Sequence, residues 1–388
     1  MTAFIPYGRQ SIDEADIAAV EAVLRSDWLT QGPAIAAFEQ ELARRASARH
    51  AIAVCNATAA LHIACVTAGL GPGDRLWTVP NTFVASANCG RYCGAEVDFV
   101  DIDPLSYCLD ADALEAKLSS ARSTNTLPKV VIPVAFAGRS CDMRRVKRLS
   151  DEYGFTVIED ASHAVGASYA GRPVGCGDYA HMTVFSFHPV KIVTTGEGGA
   201  VLTNDAAWAE RLHRLRSHGT TRDTARMDEP NEGAWFYEMQ ELGFNYRITD
   251  IQAVLGLSQL KRLDEFLARR RALVKRYDML LKDLPLQLPQ LDALDDSAWH
   301  LYVVRVPGDR AHVNRRTVFD AMRSAEIGVN VHYIPVHLQP YYRQLGFKPG
   351  DFPHAEQYYR EAISLPLYAT LTDAEQDRVI TQLKRVLG

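Results

Sequence analysis

From about residue 12 to residue 250, short apolar, β-branched runs alternate with stretches whose apolar residues recur at helical spacing. Residues 51–55 predict a buried strand, and the alanine-rich stretch through residue 68 predicts the helix after it. Gly69, Gly71 and Gly73, with Pro72 between them, end that helix and turn the chain. Further strands are predicted over 76–79, 97–101, 129–134, 155–159, 183–186 and 199–203, making seven runs. Strands alternating with helical stretches predict a mostly parallel sheet covered on both faces.

After residue 250 the pattern changes. Residues 251–277 read as one long helix crowded with Lys and Arg, 300–306 and 328–332 as short strands, and 372–387 as an amphipathic helix. The expected fold class is α/β: a large domain over 1–255 and a smaller C-terminal α+β domain over 256–388, which begins with the linking helix. Residues 220–234 are polar and turn-rich and read as a mobile loop.

Composition narrows the function. The chain has 388 residues, and 42 Lys and Arg against 47 Asp and Glu give a net charge of −5, which argues against a reader of nucleic-acid backbones. No apolar run approaches the length of a membrane span, and the N-terminus lacks the charged-then-apolar pattern of a signal peptide. Seven cysteines, odd in number and scattered through apolar segments, suit free thiols in a reducing cytoplasm. Cys89 and Cys93 share a helix face, but no second pair completes a zinc site, so no metal is expected.

Three segments carry candidate chemistry. Lys191 follows a predicted strand in a loop punctuated by Pro189 and by Gly196, Gly198 and Gly199. It is either a solvated surface lysine or a desolvated amine able to attack a carbonyl. Asp160 ends an apolar strand, where ligands bind in open α/β sheets. It either caps a following helix or holds a pyridine nitrogen protonated. At Asn56-Ala57-Thr58 a strand passes into a helix whose first amides suit a phosphate, although Asn56 also reads as a simple cap. Ser186 either adds a hydroxyl to that phosphate or serves as a turn residue.

These segments occur in one order with Pro80-Asn81-Thr82-Phe83, Glu159-Asp160-Ala161-Ser162-His163, Ser186-Phe187-His188-Pro189-Val190-Lys191 and Gly243-Phe244-Asn245-Tyr246-Arg247. The ordered set resembles the DegT/DnrJ/EryC/StrS family of sugar aminotransferases, a branch of the fold-type I enzymes that use pyridoxal 5'-phosphate (PLP). The resemblance runs from Trp28 to His337. It implies Lys191 as the Schiff-base lysine and proton carrier, and Asp160 as partner of the pyridinium nitrogen. It also implies Phe83 stacked on the ring, His163 near the phenolic oxygen, and Ala57, Thr58 and Ser186 around the phosphate. Asn245 would reach the phosphate from a neighbouring subunit, which implies a homodimer.

For the sugar, the resemblance points to Tyr7, Trp28, Leu29, Thr30, Ile334, Pro335 and His337. Arg247 either faces a diphosphate or pairs with Asp250. The segments around Ala161, Phe185, Arg216 and Gly256 look most like the pseudaminic-acid-pathway branch. Those enzymes move an amino group from L-glutamate to C4 of a UDP-linked 4-keto-6-deoxy N-acetyl sugar, while relatives act on other UDP- or dTDP-keto-sugars. Three rival readings lose ground on residues. A dehydratase of this family would carry histidine at Lys191. A nucleotide-sugar reductase would need a third glycine in register near Gly71 or Gly196. A PLP-binding regulator would bring a DNA-binding segment, and none is fused here.

Overall fold

The structure, a computed structural model, describes residues 3–229, 232–292 and 294–388. The seven predicted runs form seven strands: β1 (His50–Val54), β2 (Arg75–Thr78), β3 (Glu96–Phe99), β4 (Val130–Ile132), β5 (Thr156–Asp160), β6 (Met182–Ser186) and β7 (Gly199–Thr203). They lie side by side in the order β1-β7-β6-β5-β4-β2-β3. The run from β6 to β3 is parallel, whereas β7 is antiparallel to both neighbours. One edge of the sheet therefore gathers the C-terminal ends of β1, β5 and β6 and the start of β7.

Strand side chains alternate between two buried faces. Ile52, Val54, Ile158, Val184 and Val201 enter one apolar cluster, and Ala51, Ala53, Phe185 and Leu202 enter another. Each of the larger side chains among these (Val, Ile, Leu and Phe) contributes about 1.5–3 kcal/mol on burial, so the strands are held from both sides. Later in the chain, β8 (Tyr302–Arg305) pairs antiparallel with β9 (Ala362–Leu365), and both pack against the helices Leu263–Leu281 and Asp373–Leu387.

The structure departs from the periodicity in three places. The predicted helix over 251–277 is two helices, Asp250–Leu260 and Leu263–Leu281. The break contains neither Pro nor Gly. It is pinned instead by the buried carboxylate of Asp16, which accepts from Gln259 Nε2 at 2.6 Å and pairs with Arg262. Residues 328–332 make a single bridge, Asn330 to Ser364, rather than a strand. Within 220–234, Thr220–Thr221 pairs with Glu238–Met239, while 230 and 231 lie outside the described residues. We propose to divide the chain near residue 256, with one exception. Ile5 bridges Ile327 and joins the small domain's core, so the N-terminal segment ties the two units together.

Candidate active site

The gathered edge of the sheet opens into a cavity of about 830 Å³, lined by residues from both domains. β5 delivers Asp160, whose backbone is fixed by bonds to Pro133 and Ala135 on the neighbouring chain segment. Its carboxylate is held by two serines. Ser162 donates to Oδ1 from its backbone N–H (3.1 Å) and its hydroxyl (2.6 Å), and Ser86 donates to Oδ2 at 2.6 Å. Ser86 has one proton, so Thr82 must be the donor in their 2.7 Å contact. Two donors fill Oδ1 and one occupies Oδ2, which leaves a lone pair on Oδ2 for a ligand. No helix starts at Ala161. Asp160 caps a tight turn and not the helix considered from sequence, and His163 belongs to the same turn region.

β6 delivers Ser186, which is buried, and then the loop that carries Lys191. That loop is closed by bonds from Phe187 N to Gly198 O (2.9 Å) and from Thr195 N to Phe187 O (3.0 Å). Lys191 lines the cavity, half-buried. Burial pulls its pKa down to about 8, and the Asp160 carboxylate opposes that shift. An amine so placed is neutral often enough near pH 7 to act as a nucleophile or a base.

After β1, Asn56 caps the helix Ala57–Thr67 by accepting from Ala59 N at 2.8 Å. The amides of Ala57 and Thr58, first in that helix, have no intrahelical acceptor and are free for an anion. The first residue of β7 must approach this helix start closely. A Cβ on Gly199 would lie 2.6 Å from Ala57 N and from the Asn56 carbonyl carbon, so only glycine fits. Phe83 lines the same cavity with 57% of its surface exposed, a large aromatic face with room for a flat ligand.

The opposite wall comes from the small domain and the N-terminus: Tyr7, His300, Asn330, His332 and Tyr333. His163 stands between the walls. Its Nδ1 accepts from Ala137 N (3.3 Å) and its Nε2 meets the Tyr333 hydroxyl (3.1 Å). The rings of His163 and His300 are 4.4 Å apart. Burial holds both imidazoles neutral, far below the usual histidine pKa, and pulls His332 down to about 3. Asn330 fixes the next link. Its Oδ1 accepts from Val331 N (2.9 Å), so its amide nitrogen donates to His332 Nε2 (3.3 Å), and His332 Nδ1–H donates to Ser364 (2.8 Å).

The predicted residues fall into two groups. Ala57, Thr58, Phe83, Asp160, His163, Ser186, Lys191 and Tyr7 all line the cavity. Trp28, Leu29, Thr30, Asn245 and Ile334 are exposed and lie outside its lining, and half-buried Arg247 does as well. Arg247 has no ion pair with Asp250 among the described residues. The Asp250 carboxylate is taken by Gly32 N (2.6 Å) and Ala34 N (2.9 Å), capping the helix Pro33–Ala46. Pro335 is buried, and the expectation for His337 is corrected: it is 0% exposed. A bond from Val336 N to Pro80 O turns this segment inward, where His337 bonds Glu356 (3.1 Å) and packs on Phe352. Ser86, Ser162, His300, Asn330, His332 and Tyr333 were not anticipated. Ser162 lies within a motif quoted from the sequence, which was the available signal.

A lysine of low pKa, a buried carboxylate with a free lone pair, free amides at a helix start and an exposed aromatic face share one cavity. They fit an aldehyde, a ring nitrogen, a phosphate and a flat ring, the parts of PLP. The class so defined is that of PLP-dependent aminotransferases with a seven-stranded, mostly parallel sheet. The sequence matches the DegT/DnrJ/EryC1/StrS aminotransferase family over residues 10–384, and the chain belongs to that family of PLP-dependent sugar aminotransferases. It is 39% identical to the spore coat polysaccharide biosynthesis protein SpsC of Bacillus subtilis, over 99% of this chain and 97% of SpsC. Helicobacter pylori PseC, an aminotransferase involved in the biosynthesis of pseudaminic acid, superposes with a TM-score of 0.89 at 30% identity, covering 99% of both chains. Spr1654 of Streptococcus pneumoniae has been solved in PLP and pyridoxamine-phosphate forms. The latter gives a TM-score of 0.88 at 31% identity over 98% of both chains. No helix among the described residues is long and apolar enough to cross a membrane.

Proposed function

We propose that the enzyme moves an amino group from L-glutamate to C4 of a UDP-linked 4-keto-6-deoxy N-acetylhexose, in a pathway of the pseudaminic-acid type. One observation carries the sugar half of this reading. Among the described residues, Lys191 is the only Lys or Arg in the cavity lining, and the wall facing it offers neutral groups: two phenols, an amide and imidazoles. Neutral donors and acceptors suit sugar hydroxyls and a ketone better than they suit carboxylates. The likeness to PseC supports the particular sugar.

When bound, PLP supplies an electron-withdrawing ring that takes up an amino group and later gives it back. Lys191 holds the cofactor's aldehyde carbon and carries the proton at the substrate's reacting carbon. A pKa of about 8 lets it exchange that proton near neutral pH. Asp160, braced by Ser86 and Ser162, keeps the ring nitrogen protonated. Ala57, Thr58 and Ser186 take the phosphate, and Phe83 covers the ring. Tyr7 faces the sugar from the N-terminal segment.

The active unit in this reading is a homodimer in the cytoplasm, where the seven free cysteines stay reduced. Asn245 is exposed and outside its own chain's cavity, so it serves the neighbouring copy's phosphate. Trp28, Leu29, Thr30, Arg247 and Ile334 contribute to the sugar site across the same interface.

The test mixes purified holoenzyme with L-glutamate and follows the cofactor's visible band, then offers UDP- and dTDP-4-keto-sugars in turn. The band should collapse with glutamate and return with the UDP-linked N-acetyl sugar, and steady-state lines should be parallel. Preference for a dTDP sugar overturns the substrate and leaves the class intact.

A further inference from the structure

His163 is the residue that the family resemblance sets beside the cofactor's phenolic oxygen, yet both of its nitrogens are already committed. Nδ1 accepts the backbone N–H of Ala137 at 3.3 Å, so it carries no proton. The ring is neutral, so its single N–H is on Nε2, and that hydrogen points at the Tyr333 oxygen 3.1 Å away. The imidazole has no donor left for a ligand. The Tyr333 oxygen, in turn, has its acceptor side filled by His163 and keeps its own O–H.

That phenol is held from several directions. Its backbone N–H donates to the buried Asn81 at 3.3 Å, and the carbonyl of the preceding His332 accepts from Tyr358 at 2.8 Å. Its ring stacks near His163 at an interplanar angle of 25° and meets Phe83 and Phe136 at 6.2 and 6.3 Å. The ionisable groups around the pair are Asp160, Tyr7 and Tyr358 on the phenol's side, and Lys191, His300 and His332 on the imidazole's side. Burial and the nearby Asp160 carboxylate raise the Tyr333 pKa, which keeps the hydroxyl protonated.

We propose that Tyr333, and not His163, presents the hydrogen-bond donor to the cofactor's ring oxygen, with His163 acting as a positioning residue that holds the phenol. The inference rests on PLP occupying this cavity and is independent of which sugar is aminated. A donor on the ring oxygen stabilises its negative charge and makes the lysine-bound nitrogen release its proton more readily. Loss of the donor therefore moves the pH midpoint of the visible band upward.

Two measurements test this. In apo protein with ¹⁵N-labelled histidine, long-range ¹H–¹⁵N spectra should show His163 protonated on Nε2 only, with that nitrogen shifted in Tyr333→Phe. In holoenzyme, Tyr333→Phe should raise the band's midpoint by about one pH unit or more, the size expected for a hydrogen bond to a charged oxygen. His163→Gln, which keeps an amide donor at this position, should retain most of the wild-type midpoint, and His163→Leu should not. A His163 protonated on Nδ1 overturns the proposal without any variant having to fold. So does an unmoved midpoint in Tyr333→Phe alongside a full shift in His163→Gln. If reconstituted wild type has no visible band, the cofactor reading itself falls and the proposal with it. The apo spectra would still report whether the histidine is wired as described.

Discussion

The pKa of Lys191 can be tested before any sugar is found. Burial disfavours its ammonium form and takes the pKa from 10.5 to about 8, while Asp160 pulls the other way. At pH 7 a lysine of pKa about 8 is neutral in about one molecule in eleven, against about one in three thousand at the ordinary value. The difference is about 300-fold in available amine, ample to set the speed of cofactor capture. Apo enzyme mixed with PLP should therefore form its visible band at a rate that rises with pH and levels off above a midpoint near 8. Asp160→Asn removes the attraction that favours the ammonium, so its midpoint should fall below the wild-type one even though the cofactor binds less well. Lys191→Ala should form no lysine-bound band. A wild-type midpoint near the ordinary lysine value refutes burial as the cause, and an Asp160→Asn midpoint that moves upward refutes the opposing pull of the carboxylate.

Other consequences follow from the same contacts. Removing Ser86 and Ser162 together (both to Ala) strips the 2.6 Å hydroxyl donors from Asp160. Each is worth about 1.5–3 kcal/mol when the acceptor is charged, so PLP affinity by equilibrium dialysis should fall at least ten-fold, and an unchanged affinity counts against the bracing role. Gly199→Ala sets a Cβ 2.6 Å from backbone atoms that cannot step aside. It should cost about 1–3 kcal/mol, seen as a lower melting temperature, and should weaken phosphate binding at Ala57 and Thr58. Glu159 is buried beside Asp160 and bonds Ser140 at 2.7 Å, and burial raises its pKa from 4.5 to about 7. Between those values the folded chain keeps a proton that the unfolded chain has lost. Its contribution to stability is thus whole below pH 4.5 and is lost as pH rises through about 7, by up to about 3 kcal/mol. Urea unfolding at pH 5 and pH 8 should show a smaller difference in Glu159→Gln than in wild type.

Most of the strands were legible because they are buried on both faces and show continuous apolar runs, whereas the edge strand β3 alternates, with Glu96 exposed and Asp98 half-buried. The same reasoning failed where structure is imposed from far along the chain. Nothing in residues 251–277 signals the break after Leu260, because the group that pins it is Asp16, more than 240 positions away. β9 was hidden because it follows the helix Pro353–Glu361 with no turn residue between them. In the site, Lys191, Asp160, Thr58 and Ser186 could be picked out because they stand at strand ends or in the segments just beyond them, where an open α/β sheet presents its ligands. The facing wall comes from residues 300–333 and from Tyr7, and no local pattern marks a residue that reaches a site only through domain packing. His337 shows the converse. It lies inside a recognisable motif, but one backbone bond from Val336 to Pro80 turns it into the core.

His163 marks a further limit on what a motif conveys. Its identity and its place near Lys191 were readable, and its neutrality follows from burial. What it can offer a ligand depends on the partners of its two nitrogens: a backbone amide in the turn Phe136–Gly138 and a phenol 170 positions away. A motif names a histidine without naming those partners, and the partners decide whether it donates, accepts or only holds its neighbour. Tyr333 has the opposite standing, since its place in the sequence gives no hint of chemistry and its hydroxyl is left with a proton to give. For this cavity, the chemistry available to each side chain is set by the hydrogen bonds its neighbours have already taken.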